Sequence, residues 1–166
     1  MSPTPRLTLR VPSLDGTHAV AGALAGLSRS GDIILLAGEM GAGKTAFAQG
    51  FGQALGVTEP ITSPTFTLVH SYDTGNVTLH HADLYRLEQL AEVTDLGLAE
   101  LAEYHGIVLV EWGDVAESTF GEHLLVRLDL VDGELDARAV TITAVGPTWA
   151  QRWAALDRAT AELSSC

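Results

Sequence analysis

Residues 38–45 read GEMGAGKT, and Gly38, Gly43, Lys44 and Thr45 satisfy the pattern G-x-x-x-x-G-K-[ST]. A continuous apolar run, DIILLA at 32–37, comes immediately before it. Phe47, Phe51 and Leu55 recur at helical spacing after it. Such an apolar run reads as a strand buried on both faces. Strand, glycine-rich turn and helix in this order commit the chain to an α/β fold. The C-terminal end of the strand then meets the N-terminus of the helix. Gly50 and Gly52 fall inside the expected helix, and each costs it about 1 kcal/mol relative to alanine.

The stretch contains Lys44, the only lysine in a chain with eight arginines. A glycine-rich turn curls the backbone so that successive N–H groups face one concavity, a cradle for phosphate oxygens. The helix N-terminus adds its dipole to the same place. A compact ammonium suits the β- and γ-phosphates of a nucleotide better than the planar guanidinium fork, which explains a lysine here and arginine elsewhere. Thr45 supplies a hydroxyl for Mg²⁺. The expected nucleotide-binding set is Gly38, Gly41, Ala42, Gly43, Lys44, Thr45 and Ala46, together with Thr65 further along the chain. No second lysine exists for an Asn-Lys-x-Asp guanine-reading motif, so ATP is the expected nucleotide.

A phosphate cradle of this kind needs a carboxylate near the metal at the end of a neighbouring buried strand. IVLVE at 107–111 has that form and nominates Glu111. Asp83 ends the alternating segment NVTLHHAD. It suits either the metal shell and the attacking water or a cap on the helix expected to follow. The loop TSPTF at 62–66 lies where a γ-phosphate-sensing switch is often found, with Thr65 as a further hydroxyl. His80 and His81 are adjacent on a strand and point to opposite faces, so they are not expected to share a metal.

The rest of the pattern predicts one mixed α/β domain over 1–166, with a parallel core, antiparallel hairpins and helices on both faces. RLTLRV at 6–11 reads as an edge strand and THAVAGALAGL at 17–27 as a helix capped near Asp15 or Thr17. FTLVHSYD and NVTLHHAD read as strands joined by a Thr-Gly turn. Residues 86–105 are helical in pattern. Segments around 123–130 and 138–145 flank Asp132-Gly133 as a hairpin. Pro147 is placed to open a last helix over about 148–163.

The formal charge of −12 makes the chain a poor candidate to grip nucleic acid alone, since that affinity comes mainly from Lys and Arg on phosphates. No apolar run reaches the ~18 residues of a membrane span, and MSPTPRLTLR has no apolar h-region. The single cysteine, Cys166, suits a reducing, cytoplasmic setting.

GEMGAGKT (38–45), SPTFTLV (63–69), HADLYRL (81–87) and LVEW (109–112), in this order and spacing, resemble the TsaE family, formerly YjeE, over about residues 10–145. These are small bacterial P-loop ATPases required for threonylcarbamoyl-adenosine modification of tRNA. The resemblance implies ATP hydrolysis in association with TsaB and TsaD, which transfer the threonylcarbamoyl group to adenosine 37 of tRNAs reading ANN codons. It implies that tRNA is met only through those partners. It also implies that Lys44 binds phosphate, Thr45 and Glu111 bind Mg²⁺, Asp83 is a catalytic or metal-shell carboxylate, and Thr65 belongs to the switch-like segment. Trp112 follows the metal-shell glutamate. This chain departs from the family in GDVAES after LVEW, in His70 after the switch strand, and in a last helix that reads as an appendage.

Two other readings stand beside this one. A small-molecule kinase needs an acceptor site and an arginine-bearing lid, and Arg86, Arg127, Arg138, Arg152 and Arg158 form no lid-like cluster in sequence. A nucleotide-gated binding module has the same cradle without catalysis. Arg86 is the one candidate for an arginine finger in cis, so turnover is expected to be slow until partners complete the site.

Overall fold

The computed structural model describes residues 4–64, 68–85, 94 and 96–163. Its strands form a seven-stranded sheet, and β2 (Ile33–Ala37) and β5 (Gly106–Glu111) lie at its centre, buried along their whole length. Parallel pairing extends from β6 (His123–Val131) through β2 and β5 to β4 (Thr78–Asp83). The flanks are antiparallel. β7 (Glu134–Val145) returns along β6, and β1 (Arg6–Val11) closes that edge. β3 (Val69–Asp73) pairs with β4 at the other edge. The mixed α/β fold expected from the apolar runs is the fold observed.

Alternation along the central strands separates two cores. Ile34, Leu36, Ile107 and Leu109 pack on one face beneath α1 (Leu14–Leu27) and α2 (Lys44–Leu55). Ile33, Leu35, Val108 and Val110 pack on the other, with α3 (Leu98–Glu103) and the 3₁₀ segment Gly113–Thr119. Helices thus cover both faces, the condition under which a strand with no polar alternation is stable.

Several boundaries differ from the sequence pattern. The first helix starts at Leu14 rather than Thr17, because Ser13 caps it with a side chain that accepts from Gly16 N. Of the expected helix over 86–105, only 94 and 96–105 are described, and α3 occupies Leu98–Glu103. The last helix, α4, runs Trp153–Ala161, later than Pro147 suggested, after turns that hold Trp149 in the core. It is not an appendage. Trp149 and Leu156 belong to the main core, and Arg152 makes a buried two-point contact to Asp32 at 2.7 and 3.0 Å. Gly50 lets α2 approach α1: a Cβ there would lie 2.9 Å from His18 Cα. No helix among the described residues is long and apolar enough to cross a membrane.

Candidate functional site

The glycine-rich turn leaves the C-terminal end of β2 and enters α2, so it sits on the edge of the sheet where the parallel strands end. This is where open α/β sheets bind ligands. Gly38 has a φ of 144° and lies against β6, where an added Cβ would meet Leu128 O at 2.4 Å. Only glycine fits there. Gly43 is the N-cap of α2 and has no side chain to occupy the N–H groups of the first turn. Those donors and the helix dipole are left for an anion.

The register of β4 against β5 brings the acids together. Asp83 is the direct cross-strand partner of Glu111, and the two side chains share a face. Thr45 Oγ1 donates towards Glu111 Oε1 at 3.0 Å and Oε2 at 3.2 Å. Ser63 Oγ lies 3.1 Å from Asp83 Oδ2, 3.2 Å from Glu111 Oε2 and 3.4 Å from Thr45 Oγ1. Four side chains therefore point hard oxygen donors at one locus. Oxygens along the edges of an octahedral Mg²⁺ shell are about 3 Å apart, so the spacing fits that ion. Asp83 Oδ1 accepts from Tyr85 N at 2.9 Å, while Oδ2 accepts from Ser63 Oγ.

Lys44 is almost fully buried, and its Nζ donates to Gly38 O at 2.6 Å and Glu39 O at 2.9 Å. The same ammonium lies 4.0 Å from the centroid of the Trp112 ring. Burial pushes its pKa below the ordinary lysine value, and Glu111, Asp114, Asp83 and Glu39 pull it back up. The two effects belong together: a cation held in a dry wall needs carboxylates or phosphates as neighbours. Trp112 itself adopts a φ of 59°, unusual for a bulky residue and placed directly after Glu111.

These groups line a cavity of about 330 Å³ with Met40, Gly41, Gly43, Lys44, Thr45, Ala46, Ser63, Asp83, Tyr85, Glu111 and Trp112 on its walls. Of the residues nominated from sequence, Gly41, Gly43, Lys44, Thr45, Ala46, Asp83 and Glu111 meet there. Gly38 and Ala42 lie behind the wall; Ala42 N donates to Glu39 O at 3.0 Å inside the turn. Thr65 and Arg86 fall outside the described residues.

Three contributors escaped the sequence reading. Ser63 stands in the same loop as Thr65, and nothing in the sequence ranked one hydroxyl over the other. His81 is fully buried, with Nε2 2.6 Å from Glu111 Oε2. Its signal was available: it precedes Asp83 by two, so it shares that residue's face. His80 points to the other face, where Nδ1 meets Ser71 Oγ at 2.7 Å. Arg138, far away in sequence, donates to the Ala42 and Gly41 carbonyls.

The family model described as threonylcarbamoyl adenosine biosynthesis protein TsaE matches residues 11–140. The Bacillus subtilis tRNA threonylcarbamoyladenosine biosynthesis protein TsaE is 39% identical over 141 residues, covering 85% of this chain and 87% of that one. The protein of the same name from a Nostoc species is 49% identical over 118 residues, covering 69% and 71%. The crystal structure of Bacillus subtilis YdiB superposes with a TM-score of 0.77 at 30% identity, covering 98% of both chains. The matched segment contains the whole cavity and both of its carboxylates, and the chain belongs to the TsaE family of threonylcarbamoyl adenosine biosynthesis proteins.

Proposed function

We propose that this chain is a Mg²⁺-dependent ATPase that acts with the TsaB–TsaD complex in the threonylcarbamoylation of adenosine 37 of tRNA, without being the transferase itself. The observation that carries the reading is the meeting of Thr45, Ser63, Asp83 and Glu111 oxygens beside Lys44 at the mouth of the phosphate cradle. Backbone N–H groups of the turn and the first turn of α2 bind the phosphate chain, and Lys44 exchanges its carbonyl partners for phosphate oxygens. Thr45 and Glu111 would hold the metal, with Ser63 and Asp83 as further oxygen donors beside them. Mg²⁺ held there would supply neutralisation of the phosphate charge. Asp83 Oδ2 is the acceptor best placed to orient an attacking water, since Glu111 is buried and held by three donors.

Lys44 is the only cation among the described residues that line the cavity. A site with one cation leaves transition-state charge partly uncompensated, which favours slow intrinsic turnover and stimulation by a partner. The net charge of −12 favours tRNA being held by that partner. The test is ATP hydrolysis by the purified chain, alone and with TsaB–TsaD, scoring modified tRNA in the same reaction. Stimulated hydrolysis with repeated rounds of modification supports the proposal. Tight ATP binding with no hydrolysis in either case replaces it with a nucleotide-gated binding module. Phosphate appearing on a metabolite instead of in water replaces it with a kinase.

A further inference from the structure

Arg138 comes from β7, near the tip of the hairpin it forms with β6, and its guanidinium ends on backbone carbonyls only. Nε donates to Ala42 O at 2.8 Å and Nη2 to Gly41 O at 3.3 Å. Nη1 donates to Leu135 O at 2.9 Å and Ala137 O at 2.7 Å. The fork is thus fixed to its own hairpin by one nitrogen, and the other two reach across to the glycine-rich turn.

We infer that Arg138 is a positioning residue for the phosphate cradle, holding the Gly41 and Ala42 carbonyls turned outward. This rests on the nucleotide reading of the site. The reason lies in the peptide unit. In a trans peptide the C=O of one residue and the N–H of the next point in opposite directions, and no peptide among the described residues is cis. A donor that draws Ala42 O to the outside therefore aims Gly43 N–H to the opposite side. Gly43 lines the cavity, while Ala42 does not. The Gly41–Ala42 unit is held at both ends, its carbonyl by Arg138 and its N–H by Glu39 O. Without Arg138 the Ala42–Gly43 peptide loses the donor on its carbonyl and the Gly41–Ala42 peptide keeps only its N–H anchor on Glu39 O, so a carbonyl oxygen can turn toward the phosphates, where it repels them. Glycine on both sides of Ala42 makes that turn sterically cheap. A lysine reaches one carbonyl at a time; the planar fork reaches both and stays anchored.

Arg138→Ala and Arg138→Lys separate this role from fold support and from simple charge. Binding of Mg-ATP and Mg-ADP is measured by calorimetry, with thermal unfolding recorded for each protein and Lys44→Ala as the reference for a broken cradle. The expected result for Arg138→Ala is a roughly tenfold loss of affinity for both nucleotides, the scale of one lost charge-assisted hydrogen bond. KM should rise more than kcat falls, and the unfolding temperature should stay close to wild type. Arg138→Lys should recover only part of the affinity. Wild-type affinity in Arg138→Ala overturns the inference, as does full rescue by lysine, which assigns the effect to charge. An affinity loss that follows a lowered unfolding temperature assigns Arg138 to fold stability and overturns it too. Failure of the wild-type chain to bind either nucleotide overturns the nucleotide reading together with this inference.

Discussion

At the scale of single residues, the two carboxylates differ in burial. Glu111 is 3% exposed and receives Thr45, Ser63 and His81, whereas Asp83 is half-buried and opens onto the cavity. Glu111→Ala is expected to leave Mg-free ATP binding largely intact and to lower hydrolysis by about 100-fold or more, as loss of a metal-positioning charge does; single-turnover kinetics beside equilibrium binding separates the two. Asp83→Asn keeps the cap on Tyr85 N while removing the charge, so a slowed hydrolysis at saturating Mg-ATP identifies a chemical role and an unchanged rate leaves only the cap. His81→Ala removes the donor that orients Glu111. The Mg²⁺ concentration for half-maximal activity should rise by about 10- to 100-fold, the usual cost of losing a group that holds a metal ligand. Mg-free ATP affinity should not change, and His81→Gln should recover part of the loss.

At the scale of elements, α1 packs against α2 at a residue that a propensity scale misjudges. Gly50 weakens α2 as an isolated helix, yet its missing Cβ is what lets His18 backbone atoms approach. Gly50→Ala should therefore lose about 1–3 kcal/mol by overpacking in spite of better helix propensity. Gly26→Ala in α1, where nothing lies within 4 Å, should hold or gain up to about 1 kcal/mol. Urea unfolding of the two variants side by side checks the pair. On β4, burial lowers the His80 pKa below its ordinary value of about 6.5. Between the lowered value and 6.5 the unfolded chain binds more protons than the folded one, so stability rises with pH across that window. Acidification from pH 7.5 to 5.5 should cost wild type more than His80→Gln, read as the difference in urea midpoints. Equal shifts in the two proteins would remove His80 from the pH dependence.

At the scale of the whole molecule, the C-terminal segment is fastened to the sheet at the end opposite the site. Arg152 binds Asp32, Leu27 O and Thr148 O and stacks 3.8 Å from the Trp149 ring. Arg152→Ala strands the Asp32 carboxylate in a buried position and should cost about 3–5 kcal/mol of stability. Nucleotide affinity should survive under conditions where the variant is folded, because Asp32 precedes β2 and the cradle follows it, about 17 Å further along. A loss of binding without a loss of stability would place the C-terminal segment in the site. Asp32→Asn with Arg152→Met should regain much of the stability, since the penalty is an unpaired charge more than a lost attraction.

The sequence by itself determined what local chemistry dictates. Apolar runs at 32–37 and 107–110 demanded a sheet covered on both faces, and the turn between β2 and α2 demanded glycines, one ammonium and one hydroxyl. The acidic end of IVLVE was legible because a phosphate cradle calls for a carboxylate at the end of a neighbouring buried strand. Only the tertiary structure decided which distant groups join them. The β4–β5 register makes Asp83 and Glu111 partners, and a shift of one residue would send Asp83 to the opposite face. Ser63 over other hydroxyls of its loop, Arg138 on the carbonyls of the turn, and Arg152 on Asp32 depend on contacts across 20 to 120 positions. Periodicity records which face a residue occupies along its own element. It carries no record of the element packed opposite, and the oxygen cluster is assembled by that packing.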